Sequence, residues 1–340
     1  MNSLQSAQIG RPRAGQPGRI LIGTASWTDK SLIDCGRFYP PEAKTTAARL
    51  QFYAQTFPIV EVDSSYYGLP TAHIAGLWVA RTPAAFVFDI KAYALFTQHP
   101  ASPRSLPRDL REALPDALVA QRHIYCRDLP AATQDELWRR FAAALLPLDS
   151  AGKLGVVLFQ FPPWFLPDRE NRAYIAALHE RLPQYTAAIE FRNPFWLDDA
   201  HAAGTLALLS ELRLPFVCVD EPQGTRASVP PIVAATAPTG VVRFHGRNAA
   251  AWAAPTSNVA EKYNYDYSDD ELQGWLPGIA QLAAETEQVH VLMNNCIEDK
   301  GVRNAQDLAR LLREAPDLAP AVVGPAPAAD GGVAVQPRLL

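Results

Sequence analysis

Cysteine is scarce in this chain of 340 residues, and Cys35, Cys126, Cys218 and Cys296 stand far apart. None shares the short spacing of a zinc site or disulfide framework, so reduced thiols and a cytoplasmic location are expected. A large excess of one charge is missing too. The formal net charge of −4 argues against a chain given over to nucleic-acid binding, which carries a basic footprint. No apolar run approaches the ~20 residues that span a bilayer. Arg11 and Arg13 lead into no apolar stretch, so neither a membrane span nor a signal peptide is expected. Gly-rich dinucleotide and phosphate-loop signatures are absent from every strand–helix turn, and no repeat of 20–50 residues occurs.

What the chain has is alternation. Short apolar runs at Ile20–Ala25, Ile59–Asp63, Phe86–Lys91, Leu154–Phe161, Ala187–Arg192, Phe216–Asp220, Val241–His245 and Val289–Asn294 read as strands. Helical segments separate them at Ala43–Thr56, Ala72–Arg81, Gln134–Leu146, Arg169–Leu182, His201–Leu212 and Asp269–Glu285, with Asn304–Arg313 after the last strand. Ser268 and Glu271 form a capping box at the head of one of them. Eight strand–helix units in strict alternation predict an α/β fold, a single (β/α)8 TIM-type barrel. The barrel domain is placed at residues 19–314, between a loose N-terminal tail (1–18) and an Ala/Pro/Gly-rich C-terminal tail (315–340). Long loops follow strand three (Thr97–Thr133, with a short helix near Asp109–Ala120) and strand seven (Gly246–Tyr267). Loops of that length in a compact domain are binding elements or lids.

The strands end in polar side chains two residues apart: Glu61 and Asp63, Asp89 and Lys91, Glu190 and Arg192, Arg243 and His245. That spacing puts each pair on one face. Facing the helix layer would strand a charge in apolar surroundings, so the pairs are expected to face the barrel axis at its C-terminal mouth, where such folds hold their sites. Gln160, Asp220 and Asn294 join the same inward phase; Val60, Val62, Phe88, Ile90, Phe191, Val219 and Phe244 fall in the outward one.

The motifs Gly23-Thr24-Ala25-Ser26-Trp27, Phe38-Tyr39-Pro40, Val60 to Tyr67, Thr82-Pro83, Gln160-Phe161-Pro162-Pro163, Glu190-Phe191-Arg192, Arg243 to Arg247, Asn294-Asn295 and Asn304-Ala305 occur in order from Ile20 to Leu312. Together they resemble the YecE-like family, a bacterial and archaeal domain of unknown function. The resemblance implies a TIM-type barrel distantly similar to those of xylose isomerase and endonuclease IV, and no established activity. Asp63 departs from an Asn found in many relatives and adds a carboxylate.

The expected chemistry is that of a mouth for a small anionic, sugar-like or nucleotide-like ligand. Glu61 or Glu190 would serve as general base, His245 as acid or proton shuttle, and Lys91 as anion holder or base. Arg192 and Arg243 offer planar forks for carboxylate or phosphate. Asp63, Gln160, Asp220 and Asn294 complete the polar set, and Trp27, Tyr66, Trp164 and Trp196, with Trp252, would rim it with flat rings for stacking. Near-balance of the charges leaves another reading, a self-satisfied plug of ion pairs. Carboxylates and His245 could hold one divalent ion, but Lys91 and two arginines oppose a cation, so no metal site is assigned and the cofactor stays open. Two further readings are a nucleic-acid-binding, endonuclease IV-like protein and an interaction protein whose partner docks on loop 97–133. The basic stretch Arg104, Arg108, Arg111, Arg122, His123 and Arg127 reads as a solvated helix face or as an overhang of the mouth that attracts phosphate.

Overall fold

The structure is a computed structural model that describes residues 18–225, 228–253, 259–315 and 322–323. Eight strands form the wall: β1 (Arg19–Ala25), β2 (Ile59–Val62), β3 (Val87–Lys91), β4 (Leu154–Phe161), β5 (Ala187–Phe191), β6 (Val217–Asp220), β7 (Thr239–Phe244) and β8 (Gln288–Met293). Their order is β5-β4-β3-β2-β1-β8-β7-β6, and every ladder is parallel. A single bridge, Ile189 to Phe216, brings β5 to β6. The result is the expected (β/α)8 TIM-type barrel, with one thin seam. Asp63, Arg192, His245 and Asn294 lie one residue beyond their strands rather than within them. The two tails fall almost wholly outside the described residues, but Val322 and Val323 pair in parallel with Ile20 and Leu21.

The helices begin where side chains can satisfy the free amides of their first turn. Thr45 caps α1 (Thr46–Thr56), Thr71 caps α2 (Ala72–Ala80), and Asp168 caps α4 (Arg169–Arg181), which follows α3 (Ala131–Ser150). After α5 (Ala202–Glu211), the predicted capping box of Ser268 and Glu271 opens α6 (Asp269–Gln273). The expected single helix over Asp269–Glu285 breaks after α6 and resumes as α7 (Leu276–Glu285), because Pro277 has no amide to continue the ladder. In α8 (Lys300–Glu314), Val302, Ala305, Leu308, Ala309 and Leu312 are buried. That is the apolar stripe of a helix laid on a sheet.

Strict alternation fails once. No helix lies among the described residues between β6 and β7. Pro222, Pro230, Pro231 and Pro238 occupy that connection, and prolines at this density keep the chain extended. Loop 97–133 likewise holds two short helices, Arg108–Glu112 and Asp116–Val119, where one was expected; Pro115 stands between them.

Inside the barrel the filling changes with depth. Leu21, Ile59 and Leu292, with Val87 against them, form a small apolar cluster of their own. Asp89 and His290 make a fully buried pair, Nδ1 to Oδ2 2.9 Å. Opposite Asp89 the β3–β4 register slips between Phe88 and Ile90, and the Asp89 carboxylate accepts a hydrogen bond from the Val156 amide at 2.8 Å. The close approach needs Gly155, since a Cβ there would overlap the Asp89 carboxylate and come within 2.9 Å of His290 Cε1. Gly155→Ala is therefore expected to lower stability by about 1–3 kcal/mol, read as a reduced urea midpoint; an unchanged midpoint would contradict this packing.

Candidate functional site

Five strands deliver one largely buried network to the barrel axis. From β7, the Arg243 guanidinium grips Glu61 of β2 with two bonds, Nε to Oε2 2.9 Å and Nη2 to Oε1 2.8 Å. Its third edge meets Glu190 of β5, Nη1 to Oε2 2.5 Å. The other oxygen of Glu190 accepts from Gln160 at 2.6 Å and lies 2.9 Å from His245 Nε2. The His245 Nδ1 atom is 2.9 Å from the Asn294 amide nitrogen. These partners define the imidazole's tautomer: Nε2–H donates to the carboxylate and Nδ1 accepts from the amide. Glu61, Glu190, Arg243 and His245 are all 0% exposed. Burial works to raise the Glu190 carboxyl, but Arg243 and then His245 outweigh it and hold it well below the usual range. Burial pushes His245 down to about 4 against the pull of Glu190, so it is neutral at pH 7. The guanidinium also fills the place between two carboxylates that a cation would take. Among the described residues no three His, Cys, Asp or Glu side chains are grouped to hold a metal.

A second, less committed layer sits above. The ammonium of Lys91, at the end of β3, makes no hydrogen bond or ion pair among the described residues and rests 4.9 Å from the centre of the Tyr66 ring. Burial, with Arg243 next, lowers its pKa against the attraction of Glu61, Glu190 and Asp63. Asp63 is raised by burial, which outweighs the pull of Lys91. Arg192 stacks 4.7 Å over Trp252. Its Nη1 is 2.9 Å from Glu221 Oε2, yet neither atom completes a hydrogen bond, so this is an ion pair of poor angle. Tyr263 lies against His245 and Trp252. His99 sits between Tyr66 and Trp164 and is pushed down to about 4 by burial and then by Lys91. Gly246 turns the chain from β7 into this collar with φ +87°, and a Cβ there would come within 2.7 Å of Tyr265 Cβ. A side chain is excluded twice over.

The expected site residues thus divide. Glu61, Glu190, Arg243, His245, Gln160 and Asn294 converge in one network. Lys91, Asp63, Arg192, Tyr66 and Trp164 belong to the open layer or its edge. Three do not join them. Asp220 shares its sheet face with Phe244, not Arg243, and points into the helix layer. There it accepts from Arg247, from Tyr267 at 2.6 Å and from Trp275 at 2.6 Å. The inward phase on β6 belongs to Val219, and Glu221 supplies the carboxylate expected of Asp220. A slip of one residue exchanges the faces, and the adjacent Asp220-Glu221 pair was the signal for it. Trp27 is buried against Trp78 and Phe88. Trp196 is buried in a stack with Phe191 and Phe165, its Nε1 donating to the Phe165 carbonyl. Both cap the core instead of rimming a pocket. Glu221, His99 and Tyr263 were missed, since each lies in irregular chain where strand phase gives no guide. The arginines of loop 97–133 are exposed and partly engaged locally, as in Arg108 with Glu112 and Arg127 over Tyr125.

Fold and site together define an α/β-barrel protein with a charged axis opening to an aromatic collar. Comparison with known proteins gives the family. Residues 21–329 match the family described as Protein of unknown function DUF72, and the chain belongs to it. It is 33% identical over 298 residues to the UPF0759 protein YunF of Bacillus subtilis (strain 168), covering 86% of this chain and 94% of that protein. Crystal structures of DUF72 family proteins are similar. One from Enterococcus faecalis V583 has a TM-score of 0.70 at 26% identity, over 86% of this chain and 95% of that one. Another, from Thermotoga maritima MSB8, has a TM-score of 0.68 at 26% identity, over 87% and 99%. No helix among the described residues is long and apolar enough to cross a membrane.

Two expectations follow. Arg243→Met leaves Glu61 and Glu190 buried without a counter-charge, so stability should fall by about 3–5 kcal/mol in urea denaturation at pH 7. Replacing all three by apolar residues should restore most of it; a triple variant as weak as the single one would refute this account. For His245, both states are neutral above pH 6.5, and between 6.5 and about 4 only the unfolded chain takes up the proton. Stability therefore falls with pH, and the stability of wild type relative to His245→Gln should drop by roughly 3 kcal/mol from pH 7 to pH 4. A pH-independent difference between the two urea midpoints would show that the imidazole is protonated in the fold.

Proposed function

We propose that the barrel mouth binds a small anionic ligand, sugar-like or nucleotide-like, and that the protein acts on it as an enzyme. One observation carries this reading: an ammonium, Lys91, stands at the end of a barrel strand without any hydrogen-bonding partner among the described residues. A buried or half-buried cation left so is costly unless something else completes it. Arg192, incompletely matched by Glu221, adds a second donor toward the same opening. Tyr66, Trp252 and Tyr263 offer ring faces to the apolar side of a sugar or to a base. Gln160 and Asn294 keep Glu190 and His245 in fixed orientations below, where a proton could be taken from or returned to the ligand. We also read the chain as YecE-like within the DUF72 family, from the order of its motifs.

The test is thermal denaturation with inorganic phosphate, glycerol 3-phosphate and glucose. An anion present at a hundred times its Kd should stabilise wild type by about 2.7 kcal/mol. Lys91→Met, which breaks no hydrogen bond, should fold normally by circular dichroism and lose that gain. If no probe stabilises wild type, or Lys91→Met responds equally, the reading fails.

A further inference from the structure

Six lysines occur in the chain, and two of them penetrate the fold. Lys153 is buried and fully used: its ammonium donates to the Val79 carbonyl at 2.8 Å, the Thr82 carbonyl at 2.7 Å and the Thr82 hydroxyl at 2.9 Å. Lys91 is the opposite case. It makes no such bond, it lies against a tyrosine ring, and it stands on β3 at the C-terminal end of the barrel, where reacting groups are carried. Burial and then the neighbouring Arg243 lower the pKa of Lys91 against the attraction of Glu61, Glu190 and Asp63, so the ammonium that draws an anion gives up its proton more readily than an exposed lysine does. Desolvation and an adjacent cation are the two conditions that make a lysine nucleophilic at neutral pH.

From this geometry we propose that Lys91 captures the carbonyl group of a small anionic aldehyde or ketone as a covalent imine. The inference deepens the function proposed above and takes its anionic ligand from it. In the step, the Lys91 nitrogen lone pair adds to the carbonyl carbon, and the carbonyl oxygen takes a proton to become a hydroxyl. A second proton converts that hydroxyl to leaving water, and the nitrogen gives up both of its own protons. Amine plus carbonyl becomes imine plus water, with no change of oxidation state and no further reactant. Asp63 ends the adjacent strand on the same inward face, and its carboxyl, raised by burial, is the nearby acid suited to deliver the proton to the departing hydroxyl. Arg192 across the mouth is placed to hold the anionic end of the ligand.

Two probes of matched shape separate this inference from the reading beneath it. Dihydroxyacetone phosphate carries a ketone; glycerol 3-phosphate carries a hydroxyl in its place. Wild-type protein is incubated with each, reduced with sodium borohydride, and examined by intact mass and peptide mapping. The expected result is one reduced adduct, at Lys91, with dihydroxyacetone phosphate alone. Labelling there should run ahead of each of the other five lysines. Lys91→Arg, folded normally by circular dichroism, should give no adduct under the same conditions. Stabilisation by glycerol 3-phosphate with no adduct at Lys91, or with adducts spread evenly over the lysines, overturns the covalent step and leaves the anion reading standing. An adduct confined to Lys91 without stabilisation by glycerol 3-phosphate supports the covalent step and removes the anion reading. Neither effect in wild type overturns both.

Discussion

One guanidinium organises the interior. Arg243 reaches from β7 to carboxylates on β2 and β5, so three separated staves of the barrel are tied through one planar group. Two carboxylates at the axis would repel each other and resist dehydration; placed on either side of a fork, they become the group's own hydrogen-bond acceptors. Its five donors leave Glu190 one oxygen to spare, and that oxygen orients both Gln160 and His245. The network is thus a support on which a reactive layer can be mounted. The anticipated plug of ion pairs exists in the lower half of the mouth and stops there.

The division matters for chemistry. Groups locked by several bonds hold position and change protonation only at a stability cost. Groups left with incomplete partners are available to a visitor. Lys91 and Arg192 are of the second kind, and each leans on an aromatic ring. Glu190 is of the first kind, and its role toward any ligand runs through His245 and Arg192.

Much of this was legible in the sequence, for a definite reason. Charged pairs at a spacing of two, set in strands apolar on both sides, leave only the barrel axis as a destination, and Glu61, Lys91, Glu190, Arg243 and His245 go there. The failures have equally definite causes. β6 is four residues long, too short for its phase to be read, so Asp220 and Glu221 exchanged roles. Trp27 and Trp196 follow strands as Trp252 does, and proximity to a strand end does not say on which side of the wall a ring will pack. Among the described residues no helix joins β6 to β7, an outcome written in four prolines whose joint effect the alternation concealed. His99 and Tyr263 come from connections placed by tertiary contacts, which no local pattern encodes.

The lone bridge between β5 and β6 carries a mechanical implication. A wall parts where the fewest backbone bonds must break. What spans the gap is side-chain chemistry: Arg192 to Glu221 across it directly, and Arg243 to Glu190 over the top of β6. These pairs act as latches on a side door. The same carboxylates that order the mouth also hold the seam, so acid strong enough to neutralise Glu190 would slacken both together.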